Sequence, residues 1–174
     1  MSRRSLAIAC LLLLLAQGGC GYSVVRYGSG LGDAHRIAIR GITNDSFEPG
    51  VEALVSDALA REFAQRGALR LVDDPAIADL VIAGSVKSVE VRPRSFSSIL
   101  FALEYEVRMQ LALAIKRRDG SEVPIDPNAL VEAERYLASS DLEVTRTNRQ
   151  EALRRLAGLM AGRVHDALYE RSAP

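Results

Sequence analysis

The side chains able to do chemistry in this sequence are few, and their neighbours sort them. Arg92 and Arg94 flank Pro93 and run into Phe96, Ser97, Ser98, Ile99, Leu100 and Phe101. A guanidinium holds phosphate through two parallel hydrogen bonds, and adjacent apolar side chains suit acyl chains or a membrane-embedded partner. A loop that only turned the chain would be polar. Arg92, Arg94, Phe96, Ile99, Leu100 and Phe101 are therefore either a contact site for a phosphate-bearing lipid or a membrane-embedded partner, or a cluster packed under a loop. Lys116, Arg117 and Arg118 form a second basic run, whose simpler reading is a charged turn. Catalytic patterns do not occur: there is no GxGxxG, Walker A, HExxH, CxxC or GxSxG sequence. Ser56 lies on a helical stretch beside a solvent-side Asp57, and Glu104 and Glu106 share one strand face that reads as solvated. With two His and two Cys, neither a metal site, a cofactor site nor an enzymatic role is expected.

Cys20 carries a different chemistry. Arg3 and Arg4 precede an apolar run of 11 residues, Leu6 to Ala16. That is too short for a membrane span of roughly 20 residues and suits a signal peptide. Cys10 leaves with it. Cleavage before Cys20 then makes the sole remaining thiol the first residue of the mature chain, and an unpaired thiol is a liability in an oxidising compartment. The stretch LAQGGC resembles the lipobox of bacterial lipoproteins, with Gly19 before the cysteine. It departs from that pattern at Gln17, where Leu is usual. A covalent lipid on Cys20 is expected, with secretion as a free thiol the alternative. Gly21, where such lipoproteins carry Asp for inner-membrane retention, points to the cell outer membrane, periplasmic side.

These residues must be positioned by a folded domain. The 48% hydrophobic and 25% charged content is that of a globular chain, and 22 Lys+Arg against 22 Asp+Glu argues against nucleic-acid binding. Without Arg3 and Arg4 the balance is 20 against 22, slightly acidic. We divide the chain into a signal peptide (1–19), a flexible tether (20–35) ending in a solvated His35, and one domain (36–171). A strand with Ile37, Ile39 and Gly41 on one parity leads to the turn NDSFEPG, with Pro49 suited to a first helical position. A helix follows over about 49–66, its stripe Val51, Leu54, Val55, Ala58, Leu59 and Phe63, its positive end met by Glu48 and Glu52, its stop Gly67. LRLV is a possible extra edge strand. Leu80 to Val91 reads as a strand whose parity shifts, so that a one-residue bulge between Val86 and Val89 returns its apolar residues to one face. Leu103 to Lys116 alternates without a break and would extend roughly 40 Å. An Asp119-Gly120 turn, a proline-containing loop and a weaker strand around 130–138 follow. The last helix spans about 148–169, buried through Leu153, Leu156, Met160, Val164, Ala167 and Leu168, with His165 at the surface or partly covered. The order β-α-β-β-β-α makes an α+β two-layer sandwich: a mostly antiparallel sheet of four to five strands, two helices on one face, and a polar face bearing Glu104, Glu106, Arg108 and Gln110.

The start CGYS, the stretch RIAIRGITNDSFEPGVEALVSDALAREFAQRGALRLVDDPAIADLVIAGSV, the EYEVRMQLAL strand and a final helix containing EAL together resemble the LPS-assembly lipoprotein family LptE. CGYS and the N-x-x-x-EPG-x-E turn are the most specific of these. The resemblance implies an outer-membrane lipoprotein with a two-layer fold that sits largely inside the β-barrel LptD, assists its assembly, and helps insert lipopolysaccharide into the outer leaflet. By motif it carries over Cys20 as the acylation site. The same order of segments also looks like lipoprotein domains that activate a peptidoglycan synthase or build a secretion pore. The EPG turn and the long strand favour the first family.

Overall fold

The structure is a computed structural model that describes residues 31, 33–67, 69–98 and 101–170. The expected signal peptide, Cys20, Ile99 and Leu100 lie outside the described residues. The elements are β1 (Arg36–Asn44), α1 (Val51–Arg66), β2 (Arg70–Leu71), β3 (Leu80–Phe96), β4 (Ala102–Arg117), β5 (Glu122–Val123), a 3-10 turn (Pro127–Leu130), β6 (Val131–Leu137) and α2 (Leu142–Glu170). They form the α+β two-layer fold expected. The sheet order is β2-β1-β3-β4, with β5 and β6 both paired to the outer edge of β4. It is mixed: β1 runs parallel to β2 and β3, and the other pairs are antiparallel.

The β3–β4 hairpin is the frame. Its register shifts between Val86 and Ser88, so Lys87 is the extra residue, and the bulge lies where the parity of the sequence requires it. Val86 then opposes Leu111, Val89 opposes Met109 and Val91 opposes Val107, all on the helix-covered face. A second bulge falls between Ile39 and Ile42 and corrects the simple alternation read into β1. Gly41 does not continue the inward parity. Ile42 takes that place, buried opposite Gly84, because the inserted pair Arg40–Gly41 shifts the strand by one side.

The helices bury their stripes on one face. In α1, Val51, Val55, Ala58, Leu59 and Phe63 are buried, and Gly67 at φ 67° closes the helix by donating its N–H to the Phe63 carbonyl. Pro49 is not the first helical residue. Gly50, at φ 75°, stands between it and the helix, and this left-handed residue swings the chain from the turn into α1. In α2, Leu153, Leu156, Met160, Val164 and Leu168 are buried together with Ala152, Ala157 and Ala161. α2 starts six residues earlier than its buried stripe indicates. Asp141 starts it: its side chain accepts the Glu143 N–H at 2.8 Å and its carbonyl accepts the Thr145 N–H at 3.1 Å. Leu142 and Val144, exposed in the first turn, contribute nothing to an apolar stripe and so leave that turn invisible to periodicity. Both helices run antiparallel to β1 and therefore parallel to each other. Glu48 pairs with Arg149 at their starts, and Arg66 with Asp166 at 2.5 Å near their ends. His165, expected at the surface or partly covered, is instead buried at 3% exposure between Phe63 and Tyr169, since the helix pair closes over it. The proline loop contains the short strand β5 against Ile115 and Lys116.

Candidate functional site

β1 covers β3 only as far as Val86, and β6 covers β4 between Gln110 and Glu104. Past the end of β1 the sheet continues as β3, β4 and β6 for about 30 Å, and only the last residues of the hairpin stand alone. The molecule therefore has two ends. At one, the tip, the strands turn through Ser97 and Phe101, whose carbonyl and N–H bond to the Ser97 N–H and Oγ at 2.8 and 3.1 Å. At the other, the chain enters β1, leaves β4, and both helices finish.

The structure brings four described candidates together at the tip. Phe96 and Phe101 are 54% and 68% exposed, so they do not pack under a loop. Arg92 reaches Glu90 at 2.7 Å, and Arg94 reaches Glu106 at 3.5 Å. Neither pair is enclosed, so both guanidiniums retain free donors. This half of the molecule also exposes residues that sequence reasoning missed. Phe47 stands fully in solvent at the end of β1, Leu103 and Val91 lie where the helix cover ends, Leu137 closes β6, and Leu142 and Val144 open α2. Among the described residues, eight of the ten large exposed hydrophobics lie in this half, with Ile77 and Leu159 elsewhere. A signal for Phe47 was present, an aromatic residue inside an otherwise polar turn. Nothing local marked Leu137 or Leu142, because only the return of β6 toward the tip places them there.

Phe47 is held out by a network within the specific turn. The Asn44 amide donates to the Glu48 carbonyl at 2.7 Å and to Glu52 at 2.9 Å, and its Oδ1 accepts from the Ser46 N–H and hydroxyl at 2.9 and 2.7 Å. Glu52 occupies the first turn of α1 as expected of a carboxylate near the positive helix end, whereas Glu48 turns away to Arg149 on α2. The N-x-x-x-EPG-x-E pattern is thus a device that fixes where α1 leaves β1 and which residue its turn presents.

The helix-free face of the sheet carries the mixed charge expected. Glu104 opposes Leu137, Glu106 opposes Arg135 and Arg92, and Arg108 opposes Glu90 and Ala133. Arg94 and Arg135 both approach the Glu106 carboxylate. Such a surface, alternating in sign and rich in donors and acceptors, suits a polar partner wall rather than a nucleic acid.

At the far end the second basic run is sorted by use. Arg118 donates to the Ile77 and Ala78 carbonyls at 2.7 and 3.0 Å and to Asp79 at 3.1 Å. Asp79 also binds Arg36 at 3.0 Å and accepts the His35 and Arg36 N–H groups. These bonds, those from Arg36 and His35 above all, hold its carboxyl well below the usual carboxylate range. Lys116 lies 3.7 Å from Glu122, and the Arg117 charge acts on the nearby Asp119 carboxylate. No cluster of His, Cys, Asp and Glu that could hold a metal occurs among the described residues.

The two-layer α+β fold is shared with solved structures of bacterial proteins. An uncharacterized lipoprotein B from Nitrosomonas europaea shares it at TM-score 0.55 and 17% identity, over 88% of this chain and 91% of that one. Rare lipoprotein B from Shewanella oneidensis shares it at TM-score 0.52 and 12% identity, over 75% and 92%. A hypothetical protein from Chlamydia trachomatis shares it at TM-score 0.54 and 11% identity, over 78% and 98%. No curated protein sequence matches the chain. The family model LptE, lipopolysaccharide-assembly, matches residues 34–168, and the chain belongs to that family. It is a family of non-enzymatic assembly lipoproteins. Among the described residues no helix is long and apolar enough to cross a membrane.

Proposed function

We propose that this protein is an outer-membrane lipoprotein, acylated at Cys20 and tethered on the periplasmic side, that partners the β-barrel LptD in inserting lipopolysaccharide into the outer leaflet. The observation that carries the reading is the tip: the exposed apolar side chains of Phe96 and Phe101 stand with the incompletely satisfied Arg92 and Arg94. A guanidinium next to an apolar surface matches a phosphorylated glycolipid or the wall of the barrel that carries it. The lumen of a large outer-membrane barrel is polar, and the mixed-charge sheet face is complementary to such a wall.

A photo-crosslinker at Phe101, with a second at Phe47, tests this in cells. Capture of a very large outer-membrane barrel or of lipopolysaccharide is the expected result. Capture of neither, or recovery of the protein with a peptidoglycan synthase, would refute the reading.

A further inference from the structure

The end opposite the tip holds an open cavity of about 730 Å³ on the helix-free face of the sheet. Its floor is apolar and small: Val81 and Ala83 of β3, with Ala76 and Ala78 of the β2–β3 connection. Its rim is basic, formed by Arg40, Lys116, Arg117 and Arg118, with Asp74 the one carboxylate.

Those charges are not equivalent. Arg118 is committed to holding the β2–β3 connection, and the Asp74 carboxylate accepts the Ala76 N–H at 2.9 Å within that loop. Lys116 lies 3.7 Å from Glu122, with both side chains more than half exposed, an attraction that water largely screens. The Arg40 guanidinium has neither a hydrogen bond nor an ion pair among the described residues, and that of Arg117 is attracted only to the exposed Asp119 carboxylate. One unpaired guanidinium, a second beside an exposed carboxylate and a loosely held ammonium therefore rim one apolar floor.

The position of this cavity supplies its ligand. His35 enters β1 at the same end, its N–H bonded to Asp79 next to Arg118. Eleven residue steps separate Cys20 from Leu31, which is buried in the core. Eleven residue steps can reach at most about 40 Å, well short of the tip. A lipid on Cys20 thus keeps this end, and not the tip, beside the leaflet in which the acyl chains sit. Ile77, in the loop walling the cavity, is 47% exposed and is the large exposed hydrophobic residue of this end. A basic rim, an apolar floor and an exposed Ile next to a tether are the elements of a surface that rests on headgroups.

We infer that the cavity rimmed by Arg40, Lys116 and Arg117 binds the phosphodiester headgroup of a glycerophospholipid in the leaflet to which the protein is tethered, so that the domain docks with its tip pointing away. The inference rests on the proposed acylation of Cys20 for its geometry. The chemistry recognised is a phosphate anion, and a soluble phosphate ester is the competing source.

The test uses the full mature chain carrying Cys20→Ser, so that no acyl anchor contributes. Co-sedimentation is measured with vesicles of phosphatidylcholine alone and of phosphatidylcholine mixed with phosphatidylglycerol. Binding is expected with the mixed vesicles and should fall with rising salt. Each basic residue near an anionic membrane is worth about fivefold, so Arg40→Gln with Arg117→Gln should weaken binding by about 25-fold. Arg92→Gln with Arg94→Gln, at the other end, should leave it unchanged. Equal binding to both vesicle types, or no loss in the Arg40/Arg117 variant, overturns the inference. Saturable binding of glycerol 3-phosphate without binding to mixed vesicles also overturns it, by assigning the cavity to a soluble ester. The intact mass of the protein extracted from membranes reads the acylation of Cys20 separately, so a failed anchor is not mistaken for a failed cavity.

Discussion

Gly84 is the fifth residue of β3, opposite Leu113 of β4 and Ile42 of β1, and β3 and β4 approach each other closely there. A Cβ placed on it would stand 2.0 Å from the Ala112 carbonyl oxygen and 2.9 Å from the Leu113 Cα. Ordinary contact needs about 3.4 Å, so in Gly84→Ala the strands must part by more than 1 Å against a normal spacing of about 4.8 Å. No rotamer change relieves this, because the obstacle is main chain. Two or three ladder hydrogen bonds at about 1 kcal/mol each are lost or lengthened, and the Ile82, Val86 and Leu111 packing on the other side loosens. We expect a loss of about 3–5 kcal/mol, which for a domain of this size lowers Tm by about 10–15 °C. Gly41→Ala is the control. It also replaces a strand glycine, but its Cβ would meet nothing within 4 Å. Thermal unfolding of both variants, followed by circular dichroism, measures the difference. If Gly84→Ala melted within about 3 °C of the Gly41 control, the close approach would be wrong. Its consequence, that β3 and β4 act as one rigid rod joining the tip to the tether end, would fall with it.

Two further predictions concern the turn and the helix interface. Asn44→Ala removes four hydrogen bonds, to Glu48, Glu52 and twice to Ser46. It should cost about 2–3 kcal/mol in chemical denaturation, and a variant as stable as the parent would show that the turn motif serves something other than folding. His165 is buried between Phe63 and Tyr169, and burial first, then the nearby Arg66 charge, pushes its pKa down. Its folded pKa lies below the unfolded one, so protonation favours the unfolded chain. Its unfavourable contribution is absent well above about pH 6.5 and grows as pH falls below that value. The carboxyls of Asp45, Asp79 and Asp119, all held low, lose their stabilising effect only as pH falls through and below about 4. Tm should therefore fall between about pH 7 and pH 5 through His165. The fall should be smaller in His165→Phe, and an equal fall in both would assign it to another group.

What could be read without coordinates was whatever a few neighbouring residues determine together. The alternation of Leu103 to Lys116, the parity break that demands a bulge at Lys87, the α1 stripe and its Gly67 stop are all local periodicities, and the structure contains each of them. The elements missed are those in which local signals cancel or are absent. The first turns of α2 bury no apolar residue, β5 is two residues long, and the Arg40–Gly41 bulge is hidden by a run of Ile on both parities.

By itself the sequence determined the elements, the polar face of β4, the separation of the two basic runs by a strand's length, and the resemblance that named the family. Tertiary structure decided which surfaces are shared. Phe47, Phe101, Leu137 and Leu142 come from four segments and are exposed on one half of the molecule because β1 and β6 both run toward the tip. Arg40 and Arg117, 77 positions apart, rim one cavity because β3 lies between their strands. Strand order and direction are set by which apolar faces close on the helices together, a balance over the whole chain that no single segment encodes.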